Sequence, residues 1–565
     1  MAKQMITVFG FYALLATGTY GCKKYEAPAP EKSVKTTTAR AVNTAGFVTN
    51  PVNLNVVYFI PTDNPAPSDY KTRVSEYLVY FQNWVKSEMS RNGFGEKTFG
   101  LPLDSATNKV RLITINAQEG QASYPYSSSI SAAKIINEIN VYKAAHPAEF
   151  SSNYHTLILL PKRTDVFDQP YYGWGKNCFA VDHAGLSVAN LGNASQVSTL
   201  MGGMLHELGH GLNLPHDEEK YTSEKPSLGT SLMGSGNGTF GYSATFLSYG
   251  DCAILDKNEV FQPASGGAFY TGSSANIVLK QFDVNATAGT ITISGKYTSS
   301  HTAAHALLYF DPVTANNTDH NSVQWAVPTI NNDSFRVVCN INDFRIKGTI
   351  DYNLNIRLIL ANGNLHTKSY AFKFVSDVPQ IVDTLVLYQN CSYGGYKVSL
   401  PFGSYTTAEL VAKGLTDNDA SSLSLPIGTT AILFDGDNFS GTTVTLADGS
   451  SSCLQSNGFN DKLSSLIFIP AKSSTSSTVN FYRHCSYGGY NITLGLGGYT
   501  TADLVAAGIT NNDISSLKVP ADLKVTLYDD DNYRGTAYTA TGAVNLSCLP
   551  VSFNDKTSSL IISKK

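Results

Sequence analysis

Three histidines and a glutamate fall within the run His206-Glu207-Leu208-Gly209-His210-Gly211-Leu212-Asn213-Leu214-Pro215-His216-Asp217. On a helix, His206 and His210 stand one turn apart, so both imidazoles leave the same face and can share one metal ion. Glu207 projects beside them, within reach of a water at that ion but outside the ligand set. Pro215 cannot continue the helix, so the chain turns and can return His216 as a third ligand. Three neutral imidazoles suit a single zinc and leave its fourth position to water, which separates a catalytic site from a closed structural one. The chemistry this predicts is hydrolysis, with zinc polarising a carbonyl and Glu207 carrying a proton from water to the leaving group.

Such a cluster needs a buried helix to hold it. Val197, Leu200, Met201, Met204, Leu205 and Leu208 recur at helical spacing and predict one that carries the first two histidines. Two imidazoles on a buried helix need a partner, and a metal is one. Upstream, Leu54 to Ile60, Val110 to Ile115 and Tyr154 to Leu160 read as strands. Tyr70 to Met89 and Ser131 to Tyr142 read as amphipathic helices between them, an α/β order. Tyr249 to Leu255 reads as a closing helix.

The motif resembles that of the metzincin zinc metallopeptidases, with Asn213 where the family has glycine. Its ending, Asn213 to Asp217, is closer to the adamalysin (reprolysin) branch, and Asn tolerates the left-handed backbone that a tight helix exit requires. The resemblance implies an α/β metzincin-type catalytic domain over residues 50–263, acting as an endopeptidase on a protein or peptide substrate. It also implies that Glu207 is catalytic and that Asn213 and Asp217 support the site without binding metal. A methionine turn beneath the zinc is part of the same family pattern, and Ser231-Leu232-Met233-Gly234 is the candidate. No tyrosine follows Met233 by two positions, so the extra tyrosine ligand of some branches is not expected. By the same resemblance, the strand at Cys178 to His183 should be a sheet edge that pairs with extended substrate.

The C-terminal third is an internal duplication. Tyr388, Tyr393 and Gly395 recur as Phe434, Phe439 and Gly441, as Tyr482, Tyr487 and Gly489, and as Tyr528, Tyr533 and Gly535, at spacings of 46 and 48 residues. Each aromatic-glycine element reads as a folded hairpin whose Gly takes a backbone angle that other residues avoid. Downstream of each lies a second box. In order these hold Asp417, Asn418, Asp419 and Ser421; Asn460, Asp461, Lys462 and Ser464; Asn511, Asn512, Asp513 and Ser515; and Asn554, Asp555, Lys556 and Ser558. Four motifs mean two domains of two units each. The pattern resembles the βγ-crystallin fold, with Greek-key domains at 383–471 and 478–565, and the second box resembles that family's calcium motif. Hard oxygen ligands suit calcium, so up to four Ca²⁺ are expected, with Lys462 and Lys556 contributing backbone carbonyls alone. Cys391 and Cys453 recur as Cys485 and Cys548, predicting one disulfide per domain. Cys178 and Cys252 are a candidate third bridge, which leaves Cys339 as the odd thiol.

The whole chain thus reads as multidomain: an α/β domain, an all-β immunoglobulin-like sandwich over 270–378, and two all-β Greek-key domains. The sandwich shows strand-like alternation with no chemistry, and a spacer or docking role is expected of it. Residues 1–22 read as a secretory signal of lipoprotein type, with a lipid on Cys22 as the only membrane contact, and residues 23–49 as a flexible tether. Cell-surface or extracellular localisation follows. Charged residues make up 15% of the 565 and the net charge is −4, with no basic stripe, so a nucleic-acid partner is disfavoured. The residues fix no oligomeric state. Two other readings share them: a calcium-dependent surface binding protein with an inactive peptidase-like domain, and a zinc hydrolase of a cell-wall or glycan bond. The motif specifies water activation, not the bond attacked.

Overall fold

Strand β1 (Asn55–Ile60) is buried along almost its whole length, as only an interior strand covered on both faces can be. The computed structural model describes residues 46–565 apart from 126–127, 164–171, 193–194, 265, 315–319, 382–383, 448, 471 and 473–476. The expected signal, Cys22 and nearly all of the tether lie outside the described residues. Strand β1 is second in a five-stranded sheet ordered β2 (Ile113–Asn116), β1, β3 (Thr156–Pro161), β5 (Asn177–Asp182), β4 (Tyr172–Trp174). The first four are parallel, and β4 lies antiparallel on β5.

Alternation along β1 sets the layers. Val56 and Tyr58 share a core with Val74, Leu78 and Phe81 of helix α1 (Tyr70–Arg91). Val57 and Phe59 belong to a second core with Ile135 and Ile139 of helix α2 (Ala133–Ala145). Helix α3 (Ser195–Gly211) joins the α1 side through Met201, Met204, Leu205 and Leu208. The last strand of the sheet beside α3 is β4, which covers the first half of the strand at Cys178–His183 that the resemblance indicated as the edge. β5 carries β3 along its whole length on one side and β4 against Asn177–Phe179 on the other, so that first half of it is not an edge. Asp182, at the end of β5, is clamped by Arg73 through both carboxylate oxygens and accepts the Tyr58 hydroxyl at 2.8 Å. Removing one partner of such a buried pair costs about 3–5 kcal/mol.

Two antiparallel sheets follow. One holds β6 (Ala275–Asn285), β7 (Thr290–Ser299) and β10 (Ser334–Asn340). The other is ordered β9 (Val323–Pro328), β8 (Ala303–Pro312), β11 (Ile350–Leu360), β12 (Leu365–Val375), β13 (Val378–Ile381). They face each other across an aromatic core that includes Phe282, Phe310, Trp325 and Phe372. Of the spacer or docking role expected from its sequence, a spacer standing apart from the α/β region does not fit this module. Leu307, Tyr309 and Ile359 are part of the α1–α3 core, so the two regions share one interior.

The duplicated segment forms two pairs of antiparallel sheets, residues 384–470 and 479–564. The hairpin glycines Gly395, Gly441, Gly489 and Gly535 all have φ between 76° and 80°, the left-handed region where L side chains are strained. In each repeat a short strand, Gly403–Tyr405 or Gly497–Tyr499, crosses to the sheet of the following unit. The repeats meet through a shared apolar cluster of Phe434, Ile467, Tyr528, Tyr533 and Ile561. The first also extends the sandwich, where the Ser450 N–H bonds the Ser369 carbonyl of β12 at 2.8 Å.

Disulfides join Cys391 to Cys453 and Cys485 to Cys548. The third expected bridge does not form: Cys178, Cys252 and Cys339 are all free and buried. Cys178 lies on β5 against Gly211 of α3, whereas Cys252 lies on the closing helix α4 (Tyr249–Asp256) beside Asn92 and the Glu88 carbonyl.

Candidate metal centre

Helix α3 presents His206 and His210 one turn apart, and its end returns the third histidine. Asn213 takes φ 75°, with its N–H on the His210 carbonyl and the Leu214 N–H reaching back to Gly209. This is a Schellman-type stop, and Asn supplies the left-handed residue usually provided by Gly. The chain then doubles back and brings His216 Nε2 to 3.0 Å from His210 Nε2, which lies 3.1 Å from His206 Nε2.

The tautomers are set from behind. His206 Nδ1 donates to the Leu232 carbonyl at 2.7 Å and His210 Nδ1 to the Leu214 carbonyl at 2.8 Å. Both Nε2 atoms are therefore acceptors aimed at one point, an arrangement that is repulsive without a cation between them. Nitrogens held about 2.0–2.1 Å from one tetrahedral zinc stand about 3.3 Å apart, so the three histidines fit that ion. Burial above all holds His206 down at about 3, which keeps it neutral. Met233 lies beneath the helix: a side chain at Gly209 would stand 2.6 Å from its sulfur.

Glu207 faces the edge strand. Burial pushes it up to about 7, against the opposing pull of His216 and of the Gly173 N–H that bonds it. Gly173 belongs to β4, and a Cβ there would sit 3.0 Å from His210 Cβ and 3.7 Å from Glu207 Oε2. The backbone of β4 thus passes directly over the metal-binding residues, which is why a glycine is needed. A carboxyl held beside the ligand set is placed to accept and return a proton.

Asp217 is buried, accepts the Ser231 hydroxyl and receives the Gln324 amide at 3.4 Å. Burial raises both Asp217 and its neighbour Asp251, and the Asp217 charge raises Asp251 further. Several partners here could not be read from the motif. Gln324 comes from β9 of the sandwich, and the Glu218 N–H bonds the Ser322 carbonyl at 2.7 Å. Buried His155 joins the Gly211 carbonyl at 2.7 Å to the Tyr270 hydroxyl at 2.8 Å and is held down at about 4, mainly by burial. His320 packs its ring 3.7 Å from that of His216.

In the repeats, Asn418, Asp461, Asn512 and Asp555 take φ between 53° and 57°, and the boxes interlock across units. Ser421 donates to Asp461 and Ser515 to Asp555, both at 2.7 Å; Ser464 donates to Asp417 and Ser558 to Asn512, both at 2.9 Å. Hard oxygens of paired units therefore already face one another, a donor set that fits calcium. Asn460 and Asn554 donate to the neighbouring Asp461 and Asp555. Asn511 and Lys556 are exposed, and Lys462 turns its ammonium to the Gly458 carbonyl. Two expected ligands point elsewhere: Asp419 accepts from Tyr396 and Gln389, and Asp513 pairs with Arg483.

No family model matches this chain. It is 33% identical to wild-type OgpA from Akkermansia muciniphila, over 59% of this chain and 98% of that one, with a TM-score of 0.54. A catalytically inactive OgpA solved in complex with an O-glycopeptide substrate, glycodrosocin, matches at 32% with the same score. A match over 59% of the chain is longer than 50–263, so it takes in more than the α/β region. Over 182 residues the chain is 33% identical to development-specific protein S of Myxococcus xanthus, covering 98% of that protein. A mutant βγ-crystallin domain from Clostridium beijerinckii is 39% identical over 15% of this chain and 97% of its own, with a TM-score of 0.15.

Proposed function

The chain belongs to the family of OgpA and, over 182 residues, to that of development-specific protein S, and from this premise we propose that it is a zinc-dependent peptidase of O-glycosylated peptides. The observation that carries the reading is the convergence of three imidazole nitrogens beside Glu207, in a chain that spans nearly all of a relative solved with an O-glycopeptide substrate. His206, His210 and His216 would hold the metal. Zinc bound there supplies Lewis-acid polarisation of the scissile carbonyl and a more acidic water. Glu207 then accepts the water's proton and delivers it to the leaving amine, while the Gly173 N–H fixes the carboxylate's orientation. The exposed edge of β4 offers backbone groups to an extended substrate. Asn213, Asp217 and Met233 hold the ligand segment in place, as in the adamalysin-like branch.

The same reading extends to the rest of the chain. The repeats are calcium-binding βγ-crystallin modules at 383–471 and 478–565, stabilised by their disulfides. Export through residues 1–22, with a lipid on Cys22, would place the enzyme where glycosylated proteins are met. The deciding test offers the full chain an O-glycopeptide and its unglycosylated counterpart. Cleavage of the first and not the second, lost with a zinc chelator, is expected; equal cleavage of both removes the glycan from the claim. Glu207→Ala should keep one zinc per chain by elemental analysis and lose about 10²–10⁴-fold in kcat. Full activity in that variant ends the assignment.

A further inference from the structure

We propose that His320, carried by the sandwich, is a substrate-contacting residue of the peptidase site, a claim that rests on the peptidase reading above. The position of His320 is not incidental. It lies just ahead of β9, whose Val323 pairs in parallel with Glu218, two residues beyond the third histidine. Ser322 accepts the Glu218 N–H, and Gln324 reaches Asp217 while also bonding the Tyr309 hydroxyl at 2.7 Å. Ser322 and Gln324 are 2% and 3% exposed, so the strand beside His320 is fixed to the ligand segment. Arg345 and Asp343 tie the following loop to the same sandwich, on Glu218 and on Thr222 with Ser223.

His320 itself is exposed, with its ring 3.7 Å from His216 at an interplanar angle of 40°. It stands outside the set of three whose ligand atoms lie mutually within 4.8 Å, so it is not a fourth ligand. An exposed imidazole packed on a ligand histidine, beside a strand fixed to the ligand segment, is placed to meet a chain bound at the three histidines. Its N–H can donate to an oxygen acceptor on the bound chain, either a peptide carbonyl or a glycan hydroxyl.

The test uses the full chain in a Glu207→Ala background, which binds without turnover, and titrates it calorimetrically with an O-glycopeptide and with the unglycosylated peptide. His320→Ala should weaken glycopeptide binding roughly tenfold while zinc content stays at the parent's level. His320→Gln, which keeps a donor, should recover most of the loss, and His320→Phe, which keeps only the ring, should not. A loss confined to the glycopeptide assigns the acceptor to the glycan, and an equal loss for both peptides assigns it to the backbone. Unchanged affinity in His320→Ala, recovery by His320→Phe, or loss of zinc would each overturn the proposal, the last two reducing the residue to a prop for His216. If the parent binds only the unglycosylated peptide, the glycopeptide reading fails and the same variants decide the histidine with that ligand. Binding of neither overturns both.

Discussion

At the residue scale, the site is set by contacts at two ranges. His206, His210 and Glu207 could be placed from spacing alone, because the helix repeat fixes which side chains share a face. Asn213 was legible for the same local reason, and its φ of 75° is what a Pro-terminated exit requires. Gly173 was not. Its role comes from β4 crossing α3, and nothing in the sequence around it announces a strand that passes over a metal site. Gly173→Ala tests it. A methyl 3.0 Å from His210 Cβ must push the edge strand off Glu207, so kcat should fall on the order of tenfold to a hundredfold with little change in melting temperature. Steady-state kinetics beside a thermal melt would show it, and an unchanged kcat would mean that β4 has room to shift.

At the element scale, α3 is held at its C-terminal end by the residue that leads into β3. His155 ends the run before β3 and meets the Gly211 carbonyl, so its neutral form braces the turn that delivers His216. Its folded-state value, about 4, lies below the ordinary 6.5. Between those values the unfolded chain takes up a proton and the folded chain does not, so stability is full above pH 6.5 and declines as the pH falls toward 4. The shift corresponds to about 3 kcal/mol at most. Melting temperatures across pH 7.5 to 4 should fall in that window, and His155→Gln, less stable at pH 7.5, should show a shallower decline. The strands and helices of this region were readable from periodicity, but the first half of the expected edge strand is covered by β4. The resemblance pointed to the strand before the zinc helix, and a short hairpin partner at Tyr172–Trp174 had too few residues to register as alternation.

At the scale of the whole molecule, the sandwich belongs to the peptidase. Its sequence shows alternating strands and no chemistry because its contribution lies in where Gln324, Asp343 and His320 end up, and those placements depend on contacts far apart in the chain. A chain ended after residue 263 should therefore fail to hold zinc, whereas one ended after residue 382 should keep both zinc and cleavage; elemental analysis and a peptide assay on the two separate these outcomes. The repeats announced themselves because a motif present four times is its own control. Calcium should raise the melting temperature of the full chain's last transition, and no shift on titration would leave the interlocked boxes as simple turns. The cysteines carry one more consequence. Among the described residues, the three thiols that stay free, at 178, 252 and 339, all precede the four that pair, and all are enclosed in the α/β and sandwich interiors. A chain that folds from its N-terminus as it emerges buries the unwanted partners before Cys391 appears. A chain released all at once from denaturant offers every thiol to every other, so the order of emergence itself guards the pairing.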